Sequence, residues 1–69
     1  MSKTEQYTRQ VLNYLLENNM RYFKVKRLEK NMDLNRWKII DAVKLMKKKQ
    51  MIEKVGNTTW LLKVDNSPF

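Results

Sequence analysis

Cysteine and histidine are both missing from this 69-residue chain, and glycine and proline occur once each. Without cysteine there is no disulfide to staple a small fold. The missing thiolate and imidazole also remove the usual structural zinc ligands, so no metal site is expected. The same two absences take away the common general base and the thiol nucleophile, and the seven acidic residues are scattered. The chain is therefore not expected to be an enzyme. One glycine cannot build a phosphate-cradling glycine loop, and no cofactor or small-molecule ligand is evident. No apolar run approaches the roughly 20 residues of a membrane span. The first residues lack the apolar segment of a signal peptide. Together these absences read as a soluble, intracellular, cytoplasmic protein with no membrane partner.

What the chain has in quantity is positive charge. Lys and Arg number 15 against 7 Asp and Glu, for a net charge of +8. Residues 1–20 balance, with Lys3 and Arg9 against Glu5 and Glu17. Residues 55–69 balance too, with Lys63 against Asp65. The whole excess lies in residues 21–54. A compact basic region is the electrostatic footprint of a polyanion binder, or else a solvated, lysine-rich surface. A single domain this small buries little apolar area, which makes dimerisation a plausible source of more.

The elements can be placed from spacing and caps. Ser2-Lys3-Thr4-Glu5 has capping-box spacing, and a first helix follows to about Asn18. Tyr7, Val11, Tyr14 and Leu15 share one of its faces, which Leu12 and Leu16 widen beyond what one small core needs. Asn18-Asn19 ends it. Tyr22-Phe23-Lys24-Val25 reads as a very short strand or an extended lead-in. Residues 26–31 form a short second helix anchored by Leu28, and Met32-Asp33-Leu34 is a tight turn. Asn35 caps a third helix over residues 35–49. Its apolar stripe is Ile39, Ala42, Val43 and Met46, and the opposite side carries Trp37, Asp41, Lys44 and Lys48. Lys47, Lys48 and Lys49 sit where the helix dipole favours cations. Residues 51–55 and 58–64 read as two strands around a Gly56-Asn57 turn, since both residues tolerate positive φ. Trp60, Leu62 and Val64 alternate and should face the core together. The domain is thus residues 1–64, with residues 65–69 a flexible tail.

Helix, short extended piece, helix, turn, helix, hairpin is an order that resembles the winged helix-turn-helix family of DNA-binding domains. The likeness covers residues 8–63. Leu34 in the turn, Asn35 as polar cap, Ile39, Ala42, Val43 and Met46 along helix 3, and Met51-Ile52 entering the wing fall on the family's positions in register. Gln50 stands where the family usually has a Gly before the wing, so it must leave the helix without glycine's freedom. Glu29 or Lys30 stands near the usual helix 2 Ala. The short, lysine-rich, cysteine-free format is also similar to small stand-alone regulators of archaeal viruses and plasmids.

The resemblance implies an α+β fold of three helices and a C-terminal two-stranded wing, with double-stranded DNA as partner, helix 3 in the major groove and a role in transcription regulation. The residue chemistry agrees. Arg36 can fork onto a guanine, and Lys38, Lys44 and Lys48 can reach guanine or phosphate. Asp41 can accept from a cytosine amine or orient Lys44, and Ile40 can meet a thymine methyl. Asn35 opens that helix, and Trp37 either stacks on the partner or folds back as a shelf beside helix 2. Free amides at the start of helix 2, with Lys24, Lys26 and Arg27, offer a phosphate contact. Asn57 and Thr58 would bring the short wing near the backbone. Trp60 reads as core. A branch of the family that reads left-handed nucleic acid carries a Tyr on helix 3 and prolines beside its Trp. Val43 and Thr58-Thr59 stand there, which sets that reading aside. A homodimer through Tyr7, Leu12, Tyr14 and Leu16 would suit a palindromic site. Two alternatives share the basic surface: an adaptor that buries helix 3 against a protein, and an RNA-binding module.

Overall fold

The structure, a computed structural model, describes residues 2–66, so residues 67–69 of the expected tail lie outside it. Its elements are α1 (Lys3–Glu17), β1 (Tyr22–Phe23), α2 (Val25–Asn31), α3 (Arg36–Lys48), β2 (Ile52–Lys54) and β3 (Trp60–Leu62). This is an α+β arrangement in which α1 and α2 pack on α3 and a small antiparallel sheet closes one side.

Ser2 starts α1 by accepting a hydrogen bond from the Glu5 amide at 3.1 Å. Only that half of the capping box forms among the described residues. The buried stripe is Thr8, Val11, Leu12 and Leu15, one step around the helix from the face that the aromatics suggest. Thr8 can be buried because its hydroxyl donates to the Thr4 carbonyl at 2.7 Å, which satisfies it inside the helix. Leu12 is fully buried in the chain's own core, which corrects its placement on a dimer surface. Tyr7, Tyr14 and Leu16 are half-buried and already pack against that core.

Both long helices end in the same motif. Asn19, at φ 53°, lets the Met20 amide reach back to the Leu15 carbonyl and its own amide to Leu16. Gln50, at φ 59°, does the same with Met51 on Met46 and its own amide on Lys47. This is the Schellman arrangement, in which a left-handed residue satisfies the last carbonyls. Asn adopts that conformation readily, whereas for Gln it costs about 1–2 kcal/mol. Gln50 thus holds the conformation that a glycine would take freely. Its turn delivers Met51 and Ile52, both buried, into the sheet.

The hairpin departs from expectation at its tip. Neither Gly56 nor Asn57 has positive φ. Five residues separate β2 from β3, with the Val55 amide on the Thr59 carbonyl at 3.0 Å. A reversal that long can be built around an ordinary turn, so the left-handed pair of a two-residue turn is not required. The sheet has three strands, not two. β3 is central, paired with β2 through Ile52↔Leu62 and Lys54↔Trp60 and with β1 through Tyr22↔Leu61 and Phe23↔Trp60. Leu62 is buried, with Trp60 and Val64 half-buried on the same side. Arg21 fastens the chain beyond β3. Its guanidinium donates to the Leu62 carbonyl at 3.1 Å and pairs with Asp65 at 2.8 Å. Asp65, expected in the free tail, is therefore tethered, although so exposed a pair is worth at most about 1 kcal/mol. Among the described residues no helix is long and apolar enough to cross a membrane.

Candidate nucleic-acid interface

Asn35 opens α3 by accepting from the Lys38 amide at 3.0 Å, so its side-chain oxygen is engaged in the cap. With Ile39, Ala42, Val43 and Met46 buried, the helical advance of 100° per residue orders what remains. Next to Val43 come Arg36, Lys47, Ile40 and Lys44, an inner strip beside the sheet. Beyond them come Trp37, Lys48 and Asp41, an outer strip facing solvent.

The inner strip meets Trp60. One recess of about 260 Å³ is lined by Val25, Ile40, Val43, Lys44, Lys47 and Trp60. A second, of about 520 Å³, is lined by Lys24, Val25, Lys26, Glu29, Arg36, Thr58 and Trp60. Val25 and Trp60 belong to both, so the two form one trough between α3, the start of α2 and the hairpin. Lys47 and Lys54 bring their ammonium groups to 5.8 and 5.9 Å from the Trp60 ring centroid. Among the described residues none of Lys24, Lys26, Arg36, Lys44, Lys47 or Lys54 has a carboxylate partner. Glu29 is the one acidic group in the trough lining. Unpaired cations along a concave wall focus a positive potential outward.

On the outer strip Trp37 is 74% exposed. It does not fold back onto α2, so of the two alternatives for it the shelf is not formed. Asp41 and Lys48 are exposed beside it, and Ile40 is half-buried in the trough floor. Lys44 is exposed at the trough edge.

Not every expected residue joins this surface. Lys38 points the other way, its ammonium 5.1 Å from the Tyr7 ring on α1. That contact also occupies Tyr7. Arg27 lines an adjoining open depression with Lys30 and Asn31 that shares Lys24, Lys26 and Glu29 with the trough, so it borders the trough without lining its Trp60 end. The Arg27 and Leu28 amides both go to the Lys24 carbonyl, and Lys24 gives the first amides of this two-turn helix no side-chain cap. Thr58 stands on the trough wall, and Asn57 is exposed on the loop.

The sequence reading puts Trp60 in the core, takes Lys47 as part of a solvated helix end with a phosphate grip as its lesser reading, and sets Lys54 near the wing, but it does not bring the three together. Lys47 was legible, since it lies three residues after Lys44 and eleven after Arg36 and so falls on their strip. Lys54 and Trp60 are opposite each other in the hairpin register.

The chain matches no protein-family model, no curated protein and no solved structure.

Proposed function

We propose that this chain is a winged helix-turn-helix protein that binds double-stranded DNA with sequence preference and regulates transcription. In this reading α3 lies in the major groove and the β2–β3 hairpin is the wing, set beside the backbone. The observation that carries it is the convergence of unpaired cations from three separate elements around one exposed helix. Lys24 and Lys26 come from the start of α2, Arg36, Lys44 and Lys47 from α3, and Lys54 from the hairpin. At 13 residues α3 is about 20 Å long, enough to cross a groove about 12 Å wide. Base edges would be met by Asp41 of the outer strip, for a cytosine amine, and by Arg36 and Lys44 reaching out from the inner strip, for guanine. The trough would follow the adjacent phosphates. Selection of sites from random duplex DNA tests this directly: a recovered consensus supports it, and an unenriched pool counts against it.

Trp37 supports a second reading, an adaptor that buries α3 against another protein. So large an exposed indole suits the centre of a protein interface as well as a nucleic acid. Binding to duplex that weakens steeply with salt separates the two. A homodimer is not required by either reading. Leu12 is committed to the core and Tyr7 to Lys38, which leaves Tyr14 and Leu16 as the residual α1 face.

A further inference from the structure

The wider half of the trough is more than a phosphate grip. At about 520 Å³ it falls within the roughly 300–1,000 Å³ range of small-ligand sites. Its lining is divided chemically. Lys24, Lys26 and Arg36 supply three unpaired cations, while Trp60 supplies an aromatic wall and Thr58 a hydroxyl. Glu29 supplies an acceptor that would repel an all-anionic occupant. A bare polyphosphate satisfies the cations but leaves the indole and the carboxylate without a role. A ligand with an anionic end and a flat end bearing N–H donors uses all of them. Lys47 and Lys54 both lie within 6 Å of the Trp60 centroid, so a base that stacks on the ring displaces one of these flexible ammonium groups.

We propose that this recess is a nucleotide site, with the base against Trp60, its amine or the sugar hydroxyls toward Glu29, and the phosphates on Lys24, Lys26 and Arg36. An aromatic face accepts any base, because every base has a π-face. The Arg36 fork matches phosphate oxygens. The site deepens the nucleic-acid reading and rests on the same basic face, but it does not require duplex binding. The nucleotide comes either from a strand, as an unpaired or extruded unit, or from solution as a free nucleoside polyphosphate.

The Trp37→Phe chain leaves Trp60 as its one indole and so reports on the recess. It is titrated with adenosine triphosphate, with inorganic triphosphate and with a single-stranded deoxyadenosine octamer, following Trp60 emission. Saturable quenching by adenosine triphosphate or by the octamer is expected, and which of them acts identifies the source. Inorganic triphosphate should bind about tenfold more weakly than the nucleoside form, because it lacks the stacked base. Lys24→Ala with Lys26→Ala should weaken binding by a similar factor, and both are exposed enough to leave the fold intact. Trp60→Phe, followed by calorimetry, should bind within a few-fold of the parent, whereas Trp60→Leu should lose about tenfold. Absence of saturable quenching by both nucleotide probes overturns the proposal. So does inorganic triphosphate binding as tightly as adenosine triphosphate. A labelled duplex titrated with the parent chain keeps the two readings apart. Duplex bound with nucleotide ignored removes only the recess, and nucleotide bound with duplex ignored removes only the duplex reading.

Discussion

The ammonium of Lys47, in the last turn of α3, lies 5.8 Å from the centroid of the Trp60 ring in β3. One contact thus joins the recognition helix of the proposed interface to the hairpin and sets a cation beside the trough. At an exposed site such a contact is worth about 0.5–1 kcal/mol. Lys47→Ala should therefore cost little stability. It should weaken duplex binding and reduce the magnitude of the log–log salt slope by about one, as for loss of a single phosphate contact. Lys47→Arg should retain both. Duplex titrations at several salt concentrations check this.

The base contacts of α3 should differ in how their loss divides between affinity and preference. Arg36→Ala and Lys44→Ala are expected to lower affinity, by about 1–3 kcal/mol where the side chain forks onto a guanine, with thermal unfolding unchanged. Asp41→Ala should alter which sites are selected more than how tightly they are held. Trp37→Ala should leave stability within about 0.5 kcal/mol, since the exposed indole contributes little to the core. Its effect should appear in binding. If all of these variants bind like the parent, α3 is not the reading element.

Backbone conformation gives a pair of opposite expectations about glycine. Gln50→Gly should stabilise the fold by about 1 kcal/mol, by relieving the left-handed residue that ends α3. Gly56→Ala should be neutral or stabilising by about 0.4–1 kcal/mol. Gly56 is not left-handed, and an added Cβ would meet Thr59 Cβ at an ordinary 3.5 Å. Midpoints of urea unfolding at constant slope measure both. Strong destabilisation by Gly56→Ala would restore the tight, left-handed turn that the dipeptide suggests.

Leu12 distinguishes a core from an interface. Leu12→Ala should cost about 2–5 kcal/mol, a large share of what a domain this small can hold. Leu16→Ala, at a half-buried position, should cost clearly less. Unfolding that depends on protein concentration for the parent, and is lost in Leu12→Ala, would return Leu12 to a subunit contact.

The features that could be read from sequence are those with local causes. Ser2 and Asn35 cap their helices because their side chains reach amides three residues on. Ile39, Ala42, Val43 and Met46 are buried because they recur at helical spacing. The exit at Gln50 was legible because the chain must turn where no glycine stands. Long-range pairing was not legible in the same way. Tyr22 meets Leu61 and Phe23 meets Trp60 across most of the chain, and a two-residue strand has no pattern of its own. Gly56-Asn57 permits a left-handed turn without requiring one. Alternation in β3 gives Trp60 its side of the sheet but not its depth, so a ring at the margin of the core reads as core. Leu12 is ambiguous for a related reason, since an apolar face broader than one stripe does not say which flank is covered.

The central claim is that the face built from α2, α3 and the hairpin neutralises DNA phosphates. Its most direct test is the affinity of the purified chain for a labelled duplex, measured from low to moderate ionic strength. With about five of the converging cations engaged, log affinity should fall against log salt with a slope of about −4 to −5. No binding at low ionic strength, or binding with a slope near zero, would contradict it.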